Sequence, residues 1–416
     1  METWLGLAET VRERANPQPR VALYSPDSYG LGHYRRSRRV ASALVDAFPG
    51  ASILMLTGCI AAGRFGHLTR TDQVRLPAAT KSAGGAYRAR SLGVDLDQLR
   101  ELRAAILEAS LRSFRPDILI VDHAPAGLAG ELRPALEMLC VQGRPTLVAL
   151  GMRDIIDDPA AVRREWAEAD MLGLIDRSYD EVWVYGRREV FDPVAEYRVP
   201  ARLARRFHQV GYVTETPAVR RRRRPHRRPL VVAMGGGGED AHPLLAAAVR
   251  AHARLPEAFR LMVLPGAMMP LQQLEELKAE ASAGPNARVL PFLEDAAPLI
   301  GRADAVVTMG GYNSMLEVLA AGTPSVVVPR TSPRTEQLIR ARRMAARGWT
   351  EWIHPDELTP QALLAAVTSL LQSGPRARIP VEYLDGASAV VERCRRALNG
   401  ARGGDGLRLV EELPAG

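Results

Sequence analysis

The sequence predicts an α/β protein of two facing, doubly wound Rossmann-like domains with a cleft between them. Its 416 residues exceed one ordinary domain and fit two domains of about 200 residues each. In both halves short apolar runs alternate with longer amphipathic runs, a pattern typical of parallel sheets covered by helices on both faces. A segment rich in arginine and proline, without hydrophobic periodicity, separates the two halves.

In the first half, apolar runs predict the strands of the first sheet. These runs cover residues 20–24, 52–56, 117–122, 146–150 and 181–185. Between them, residues 97–114 predict a helix, because the leucines and the isoleucine of this segment recur at spacings of three and four residues.

The second half repeats the scheme. Its predicted strands cover residues 230–234, 260–264, 288–292, 304–309 and 325–329. Its predicted helices cover residues 241–254, 271–281, 313–321, 334–347 and 360–372.

These elements divide the chain into a first domain (1–213), a linker (214–229), a second domain (230–385) and a C-terminal helix and tail (386–416). The linker is predicted to be an extended, solvated connector, with a contact to an anionic surface such as a membrane as the alternative. The C-terminal helix follows the complete second sheet, and the sequence allows it to pack on either domain.

The composition indicates a globular cytoplasmic protein. A hydrophobic content of 47% is enough for two cores. No apolar run reaches the roughly 18 residues of a transmembrane helix, and the charged N-terminus does not resemble a secretory signal. Cys59, Cys140 and Cys394 lie far apart, so neither a disulfide framework nor a zinc site is expected. A peripheral contact with the inner face of the membrane stays open.

The net charge of +8 has two explanations. An arginine-rich composition is typical of a GC-rich genome, whereas a functional cause would be an anionic partner such as a nucleotide or a lipid headgroup. The chain has few aromatic residues and no nucleic-acid-binding motif, so nucleic acid is not an expected partner.

The second domain contains a pattern typical of an anion site. Gly310 and Gly311 follow a predicted strand, and Asn313 and Ser314 open a helix. Ligands of doubly wound sheets bind at the carboxyl ends of the strands, where helix N-termini favour anions. Glu317, one turn later, would repel a phosphate, but its carboxylate suits the two hydroxyls of a ribose. The alternative is an ordinary glycine turn, a capped helix and a solvated glutamate.

Two further loops of the second domain fit the same ligand. Glu336 and Gln337 follow the next predicted strand, and an acid beside an amide can bind sugar hydroxyls. Gly235, Gly236 and Gly237 follow the first strand of the domain and allow its backbone to approach a phosphate or a sugar closely. This loop is not a P-loop, because the Lys–Ser/Thr ending is absent.

In the first domain, His33 stands between a predicted strand and an arginine-rich helix. Gly30 and Gly32 precede it and Arg36 follows, which gives the pattern G-x-G-H-x-x-R. This is not the dinucleotide pattern G-x-G-x-x-G. A neutral imidazole with an ordinary pKa of about 6.5 is suited to take a proton from a hydroxyl near neutral pH.

Two neighbouring loops offer alternatives. Asp122 and His123 end one predicted strand, so that His123 is a rival base or Asp122 orients His33. Arg153 and Asp154 follow the next strand, where they can bind acceptor hydroxyls or phosphate. Turn and N-cap chemistry is the structural alternative for both loops.

The helix after His33 carries four arginines, Arg35, Arg36, Arg38 and Arg39. They can face the diphosphate of a donor or an anionic acceptor, but on a helix they cannot all point one way. We expect one or two of them in the cleft and the others in water.

The segment "MGGYNSMLEVLAAGTPSVVVPRTSPRTEQ" resembles the nucleotide-sugar signature of GT-B glycosyltransferases of the family 28 type. GT-B glycosyltransferases include the plant UDP-glycosyltransferases as well as the bacterial transferase that adds N-acetylglucosamine to the peptidoglycan lipid precursor. The match covers Gly311, Asn313, Ser314, Glu317, Gly322, Pro324 and the Glu336–Gln337 pair.

The resemblance implies a role for each of these groups. It implies that the helix start with Asn313 and Ser314 binds the donor diphosphate, that Glu317 binds the ribose, and that the acid–glutamine pair binds the donor sugar. The segment around Phe292 resembles the loop that meets the nucleotide base, and the glycine-rich loop resembles the one that opens the second domain of this fold. Met309 is a departure, since plant members have a phosphate-binding histidine there, so some phosphate affinity must come from elsewhere.

The pattern G-x-G-H-x-x-R resembles the first loop of the same transferases and of related nucleotide-sugar hydrolases. In several of those families the histidine is the base or belongs to the acceptor site. We therefore expect transfer of a sugar, with inversion, from a nucleoside diphosphate sugar (UDP-linked) to a hydroxyl of a small-molecule, glycan or lipid-linked acceptor. A nucleotide-sugar hydrolase and a non-catalytic nucleotide-sugar-binding protein are the alternatives.

We expect neither a metal ion nor a cofactor. The nucleotide sugar is expected to be a co-substrate. The segment "DLD", Asp95 to Asp97, matches the metal-binding D-x-D of the other major transferase fold. It starts a polar helix and stands apart from any predicted strand end, so we do not expect it to bind a metal.

Overall fold

The computed structural model describes residues 18–26, 31–81, 87–141, 146–214, 228–238, 240–373 and 377–400. Three predictions therefore fall outside or partly outside the described residues: Gly30, most of the arginine-rich linker (215–227) and the C-terminal tail (401–416).

A parallel sheet forms the centre of the first domain. Its strands, within the described residues, are β1 (Arg20–Ser25), β2 (Ser52–Thr57), β3 (Thr71–Arg75), β6 (Ile118–Asp122), β7 (Leu147–Arg153), β8 (Glu181–Tyr185) and β9 (Phe207–Gln209). They pair in the order β3-β2-β1-β6-β7-β8-β9, which places the ends of β1, β6 and β7 side by side. A separate antiparallel pair consists of β4 (Ala79–Lys81) and β5 (Tyr87–Ala89).

Helices cover this sheet on both faces. They are α1 (Gly32–Ala47), α2 (Leu96–Phe114), α3 (Arg133–Val141), α4 (Pro159–Glu168), α5 (Met171–Ser178), α6 (Pro193–Glu196) and α7 (Ala201–Ala204).

The start of α2 explains the D-x-D segment. The Asp95 carboxylate accepts a hydrogen bond from the Gln98 backbone N–H, and the Gln98 side chain accepts one from the Asp95 N–H, which is a capping box. Asp97 is exposed and pairs with Arg100 in the first turns of the helix. Both carboxylates therefore stabilise a helix start, at a distance from the strand ends.

The second domain repeats the architecture with a six-stranded parallel sheet within the described residues. Its strands are β10 (Leu230–Met234), β11 (Arg260–Leu264), β12 (Ala287–Val289), β13 (Ala305–Thr308), β14 (Ser325–Val327) and β15 (Glu351–Trp352), paired in the order β12-β11-β10-β13-β14-β15. Its helices are α8 (His242–Ala253), α9 (Leu271–Ser282), α10 (Ala297–Ile300), α11 (Tyr312–Ala321), α12 (Glu336–Ala345) and α13 (Pro360–Gln372).

The apolar runs predict the central strands correctly, and the differences lie at the edges. The strands β3, β9 and β15 lie at sheet edges. Strand β3 carries polar residues, and β9 and β15 are only three and two residues long, so no continuous apolar run marks them. The strand predicted over 288–292 already ends at Val289. Pro291 has no backbone N–H to donate to a neighbouring strand, which is consistent with a loop there.

The two domains are in direct contact through α1 and α11, whose apolar residues share one buried cluster. At its centre, the Tyr312 hydroxyl donates to the Tyr185 carbonyl (3.0 Å) and accepts a hydrogen bond from the Val213 N–H (3.3 Å). The domain contact lies directly beside the starts of both helices.

The last helix, α14 (Gly386–Gly400), packs on the first domain although it follows the second in sequence. Its buried Val390 and Cys394 share a cluster with Val40 and Leu44 of α1. Arg393 also forms an ion pair with Glu181 of the first domain. Among the described helices, none is long and apolar enough to cross a bilayer.

Candidate functional site

A cavity of about 300 Å³ lies where the carboxyl ends of the two sheets face each other. It brings most of the predicted site residues together, as expected for loops that follow neighbouring parallel strands. From the first domain it is lined by Gly32, His33, Arg36 and Arg153. From the second domain it is lined by Gly236, Gly237, Phe292, Gly311, Asn313, Ser314, Glu317, Glu336 and Gln337.

His33 is held by a buried carboxylate. Its Nδ1 lies 2.8 Å from Oδ2 of Asp122, the last residue of β6. Nη2 of Arg36 also lies 3.1 Å from Nδ1, but the carboxylate is closer and favours a proton on Nδ1, which makes Nε2 the basic nitrogen of the ring. Of the two arrangements left open by the sequence, the geometry favours Asp122 as the group that orients His33.

The same carboxylate also binds Arg36 in bidentate fashion. Nε of Arg36 donates to Oδ1 of Asp122 (2.9 Å) and Nη2 donates to Oδ2 (2.7 Å). Burial alone would raise the pKa of Asp122, but the charge of Arg36 and the hydrogen bond with His33 outweigh it and lower the pKa. Tyr185 and Tyr312 also pack against the Arg36 guanidinium, with centroids 5.4 and 5.1 Å away.

His123, the rival base, stacks on His33 with ring centroids 5.2 Å apart. Its Nε2 lies 2.9 Å from Nη2 of Arg153 and can only accept this hydrogen bond, because a guanidinium has no acceptor. Burial and the charge of Arg153 lower the pKa of His123 well below its usual value. His123 is therefore held neutral with an occupied acceptor, behind the ring of His33.

The side chains of Arg153 and Asp154 lie in different surroundings. Arg153 lines the cavity, but Asp154 is fully buried away from it, where it accepts a hydrogen bond from the Tyr212 hydroxyl (3.0 Å). Burial raises the pKa of Asp154. The prediction that Asp154 contacts the acceptor is not supported by its position, since neighbouring residues of an extended segment point to opposite sides.

The start of α11 forms the wall opposite His33. Gly310 has φ +80°, and a Cβ atom there would lie 2.6 Å from Cγ1 of Val327, so the turn requires glycine. Nδ2 of Asn313 donates to the Gly32 carbonyl (2.9 Å), which joins the starts of α1 and α11. Gly310 itself shapes the turn without lining the cavity.

The glycines of the glycine-rich loop also differ in whether they line the cavity. Gly236 and Gly237 line the cavity, and Gly236 has φ +60°. At Gly235 a Cβ atom would lie 2.3 Å from that of Ala241, so this glycine serves close packing behind the cavity.

Glu317 is paired across the domain boundary. Its Oε1 accepts hydrogen bonds from Nη2 of Arg35 (2.6 Å) and Nη2 of Arg39 (2.5 Å). Its Oε2 is buried and has no partner among the described residues. Glu317 is therefore not the solvated glutamate of the structural alternative.

The four arginines of α1 match the expectation of one or two in the cleft, but the others are not simply in water. Arg35 and Arg36 line the cavity, and Arg39 is buried against Glu317. Arg38 does not line this cavity: it donates to the Gly66 carbonyl (2.6 Å) and lies 3.9 Å from Oε1 of Glu294 in the second domain. All four charges thus lie at the domain boundary.

The Glu336–Gln337 pair is organised by Arg330, which the sequence analysis missed. Nη2 of Arg330 donates to Oε1 of Glu336 (3.1 Å), and its backbone N–H donates to Oε1 of Gln337 (3.0 Å). Oε2 of Glu336 is buried and has no partner among the described residues. Arg330 follows shortly after β14, at the carboxyl end of a strand, and this position is the sequence feature that indicates a site residue.

The loop after β12 forms the far end of the cavity. Phe292 lines the cavity and packs partly buried against the interdomain cluster. Oε1 of Glu294 accepts a hydrogen bond from the Gly66 N–H of the first domain (3.1 Å), another contact that the sequence analysis missed. The described residues contain no group of three or more His, Cys, Asp or Glu side chains placed to hold a metal ion.

Comparison with known proteins identifies the second domain. Residues 231–381 match the glycosyltransferase family 28 C-terminal domain. Over 164 residues, 38% of this chain, the sequence is 31% identical to the UDP-N-acetylglucosamine–N-acetylmuramyl-(pentapeptide) pyrophosphoryl-undecaprenol N-acetylglucosamine transferase of Rhodospirillum centenum. Over 130 residues, 31% of this chain, it is 32% identical to the transferase of the same name from Rubrobacter xylanophilus. These matches span 42% and 38% of the two relatives, less than half of their length.

Solved structures match nearly the whole chain. The calicheamicin glycosyltransferase CalG4 has a TM-score of 0.61 at 16% identity, covering 94% of this chain and 100% of its own. MurG of Acinetobacter baumannii has a TM-score of 0.54 at 16% identity, covering 93% and 98%. At this identity the likeness concerns the fold. The second domain of this chain is therefore a glycosyltransferase family 28 C-terminal domain, and the chain as a whole has the two-domain GT-B fold of glycosyltransferases.

Proposed function

We propose that this protein is an inverting glycosyltransferase that moves a sugar from a nucleoside diphosphate sugar, UDP-linked, to an acceptor hydroxyl. One observation carries the proposal: a single cavity places His33, oriented by Asp122, opposite the start of α11 and the Glu336–Gln337 pair. The proposed base and the proposed nucleotide-sugar site would thus face each other across one cleft.

The donor would lie along the second-domain wall. Backbone amides at the start of α11, with Asn313 and Ser314, suit the diphosphate, because the helix dipole favours negative charge there. Glu317 would bind the ribose, and the segment at Phe292 would meet the base. The family 28 match of this domain supports these assignments.

The acceptor hydroxyl would approach from the first domain. His33 Nε2 would take its proton as the hydroxyl attacks the anomeric carbon, and the buried carboxylate of Asp122 would stabilise the imidazolium that forms. The start of α11 would stabilise the departing diphosphate. A single displacement of this kind inverts the configuration at the anomeric carbon.

For the acceptor we propose a lipid-linked molecule, reached by a cytoplasmic protein at the membrane surface. The support is the printed function of the relatives, which transfer N-acetylglucosamine to an undecaprenol-linked acceptor. Small molecules and glycans are the other acceptor classes to be tested.

The first experiment is a thermal-shift screen with UDP, dTDP, GDP and ADP, followed by turnover of the matching nucleotide sugars with and without acceptors. Stabilisation by one nucleoside diphosphate is expected, since ligands that bind only the folded state raise its stability. No stabilisation by any of the four would contradict the donor site. Stoichiometric free sugar and nucleoside diphosphate without an acceptor, at enzymatic rates, would indicate a hydrolase instead.

His33→Ala tests the base. We expect donor affinity to stay nearly unchanged while turnover falls by about 10²-fold or more, the usual contribution of a general base. His67→Ala, an exposed histidine of the same domain, is the matched control. Normal turnover of His33→Ala would show that another group takes the proton.

A further inference from the structure

Arg35 stands between two cavities. It lines the donor cavity of about 300 Å³ and a second cavity of about 410 Å³ on the other side of its side chain. The second cavity is bordered by α1, the loop after β12 and the first residues of α14. Arg35 and Glu294 are part of both linings, so the Arg35 side chain is a partition between the two spaces.

This partition covers the carboxylate that is proposed to bind the ribose. The Glu317 side chain is only 1% exposed, and its unpartnered Oε2 is buried as well. Ribose hydroxyls therefore reach Glu317 only after a neighbouring side chain has moved. Of its two arginine partners, Arg35 is 19% exposed and Arg39 is 6% exposed, so Arg35 is the one with room to move.

The charges favour this movement when a diphosphate is present. Two guanidinium groups share one carboxylate oxygen, so Arg39 alone still compensates the charge of Glu317 if Arg35 leaves. A buried carboxylate without any partner would be costly, which is why the second arginine matters.

The destination of Arg35 is close. Asn313 precedes Glu317 by four residues on α11, which corresponds to about 5–6 Å between their Cβ atoms. Arg35 already lines the same cavity as Asn313 and Ser314. A guanidinium fork binds phosphate oxygens in bidentate fashion, and a diphosphate presents more negative charge than one carboxylate.

We propose that Arg35 changes its partner when the donor binds: it pairs with Glu317 in the nucleotide-free protein and moves to the diphosphate of the bound donor. This rests on the proposed donor site. The exchange supplies phosphate affinity from the first domain. It also couples donor binding to α1, the helix that carries His33 two residues earlier.

The test is the affinity of the full chain for UDP and for uridine, measured by calorimetry on the wild type and on Arg35→Gln. Uridine has the ribose but no phosphate, so removal of its competitor should tighten uridine binding by about threefold or more. UDP loses a charge-assisted hydrogen bond, so its affinity should fall by about tenfold or more. Opposite signs for the two ligands are the signature of the exchange.

Two further variants complete the experiment. Arg302→Gln removes the same charge at an exposed position outside both cavities and should leave both affinities unchanged within about twofold. Arg35→Lys keeps the positive charge and should retain most of the UDP affinity. This variant shows whether a loss of affinity in Arg35→Gln comes from the missing charge or from misfolding.

The outcomes are distinct. Equal weakening of UDP and uridine by Arg35→Gln would make Arg35 a structural support and overturn the proposal. Tightening of both, or no change in either, would overturn it too, because no phosphate contact would be lost. If wild type binds no nucleoside diphosphate, the donor site itself fails, a result independent of Arg35.

Discussion

Asp122→Asn tests the centre of the first-domain site. The variant keeps the shape of the side chain but removes the charge that holds Arg36 and His33, with Asp122 and Arg36 each 2% exposed. Breaking a buried ion pair at one partner costs about 3–5 kcal/mol, because the other charge stays buried without compensation. In a domain of about 200 residues each kcal/mol lowers the melting temperature by about 2–4 °C, so we expect a fall of about 6–20 °C.

The assay is differential scanning calorimetry, together with turnover of the nucleotide sugar. Turnover should fall as well, by about 10²–10⁴-fold, because the amide no longer fixes the His33 tautomer or stabilises the imidazolium. Asp97→Asn is the matched control: it makes the same chemical change in an exposed Asp–Arg pair, where about 0–1 kcal/mol is at stake. If Asp122→Asn melts within 2 °C of Asp97→Asn, about one kcal/mol of difference or less, the buried-pair reasoning is refuted.

The pH dependence gives a second measure of the same interaction. The lowered pKa of Asp122 means that its ionised form stabilises the fold above the ordinary pKa of about 3.9. This stabilisation is lost as the pH falls through the lowered pKa. The difference in stability between wild type and Asp122→Asn should therefore shrink as the pH falls below about 4.

Two other predictions follow from the geometry. Histidine NMR should show His123 still neutral when the pH falls through its ordinary pKa of about 6.5, because burial and Arg153 lower its pKa; titration near that ordinary value would contradict the hydrogen bond from Arg153. Gly310→Ala should destabilise the second domain by about 1–3 kcal/mol in denaturant unfolding, because of φ +80° and the contact with Val327. Gly311→Ala, at φ −57° with open space around its Cβ position, is the control and should unfold within about 1 kcal/mol of wild type.

Sequence patterns were sufficient for the central strands and for the longer helices of the second domain. A continuous apolar run such as Leu230–Met234 has apolar side chains on both faces of its strand, which predicts that both faces are covered. All five residues of this strand, β10, are buried. The edge strands β3, β9 and β15 were missed for the same reason, since β3 (Thr71–Arg75), for example, is largely exposed and carries polar residues. Likewise, Leu102 fits the helical spacing of α2 but is exposed, because periodicity alone does not say how wide the buried stripe is.

The sequence also identified the loops of the candidate site, because chemistry-bearing residues lie in the loops and helix starts that follow strands. His33, Asn313, Glu317 and Glu336 line one cavity for this reason. Which neighbour in a loop faces the cavity was beyond the sequence. Asp154 turned inward to Tyr212, whereas Arg330, not singled out, holds the Glu336–Gln337 pair.

The sequence by itself determined two parallel α/β domains and the residues at their strand ends, because burial and helix starts are properties of local patterns. Only the tertiary structure decided the pairings: Asp122 with His33 across 89 positions, and Arg35 with Glu317 across 282. The first pairing depends on how a helix packs beside a strand of its own domain, and the second on how helices of different domains pack; no local pattern records that packing. The arginine-rich start of α1 is therefore the clearest case, since its charges are compensated by a carboxylate in the other domain.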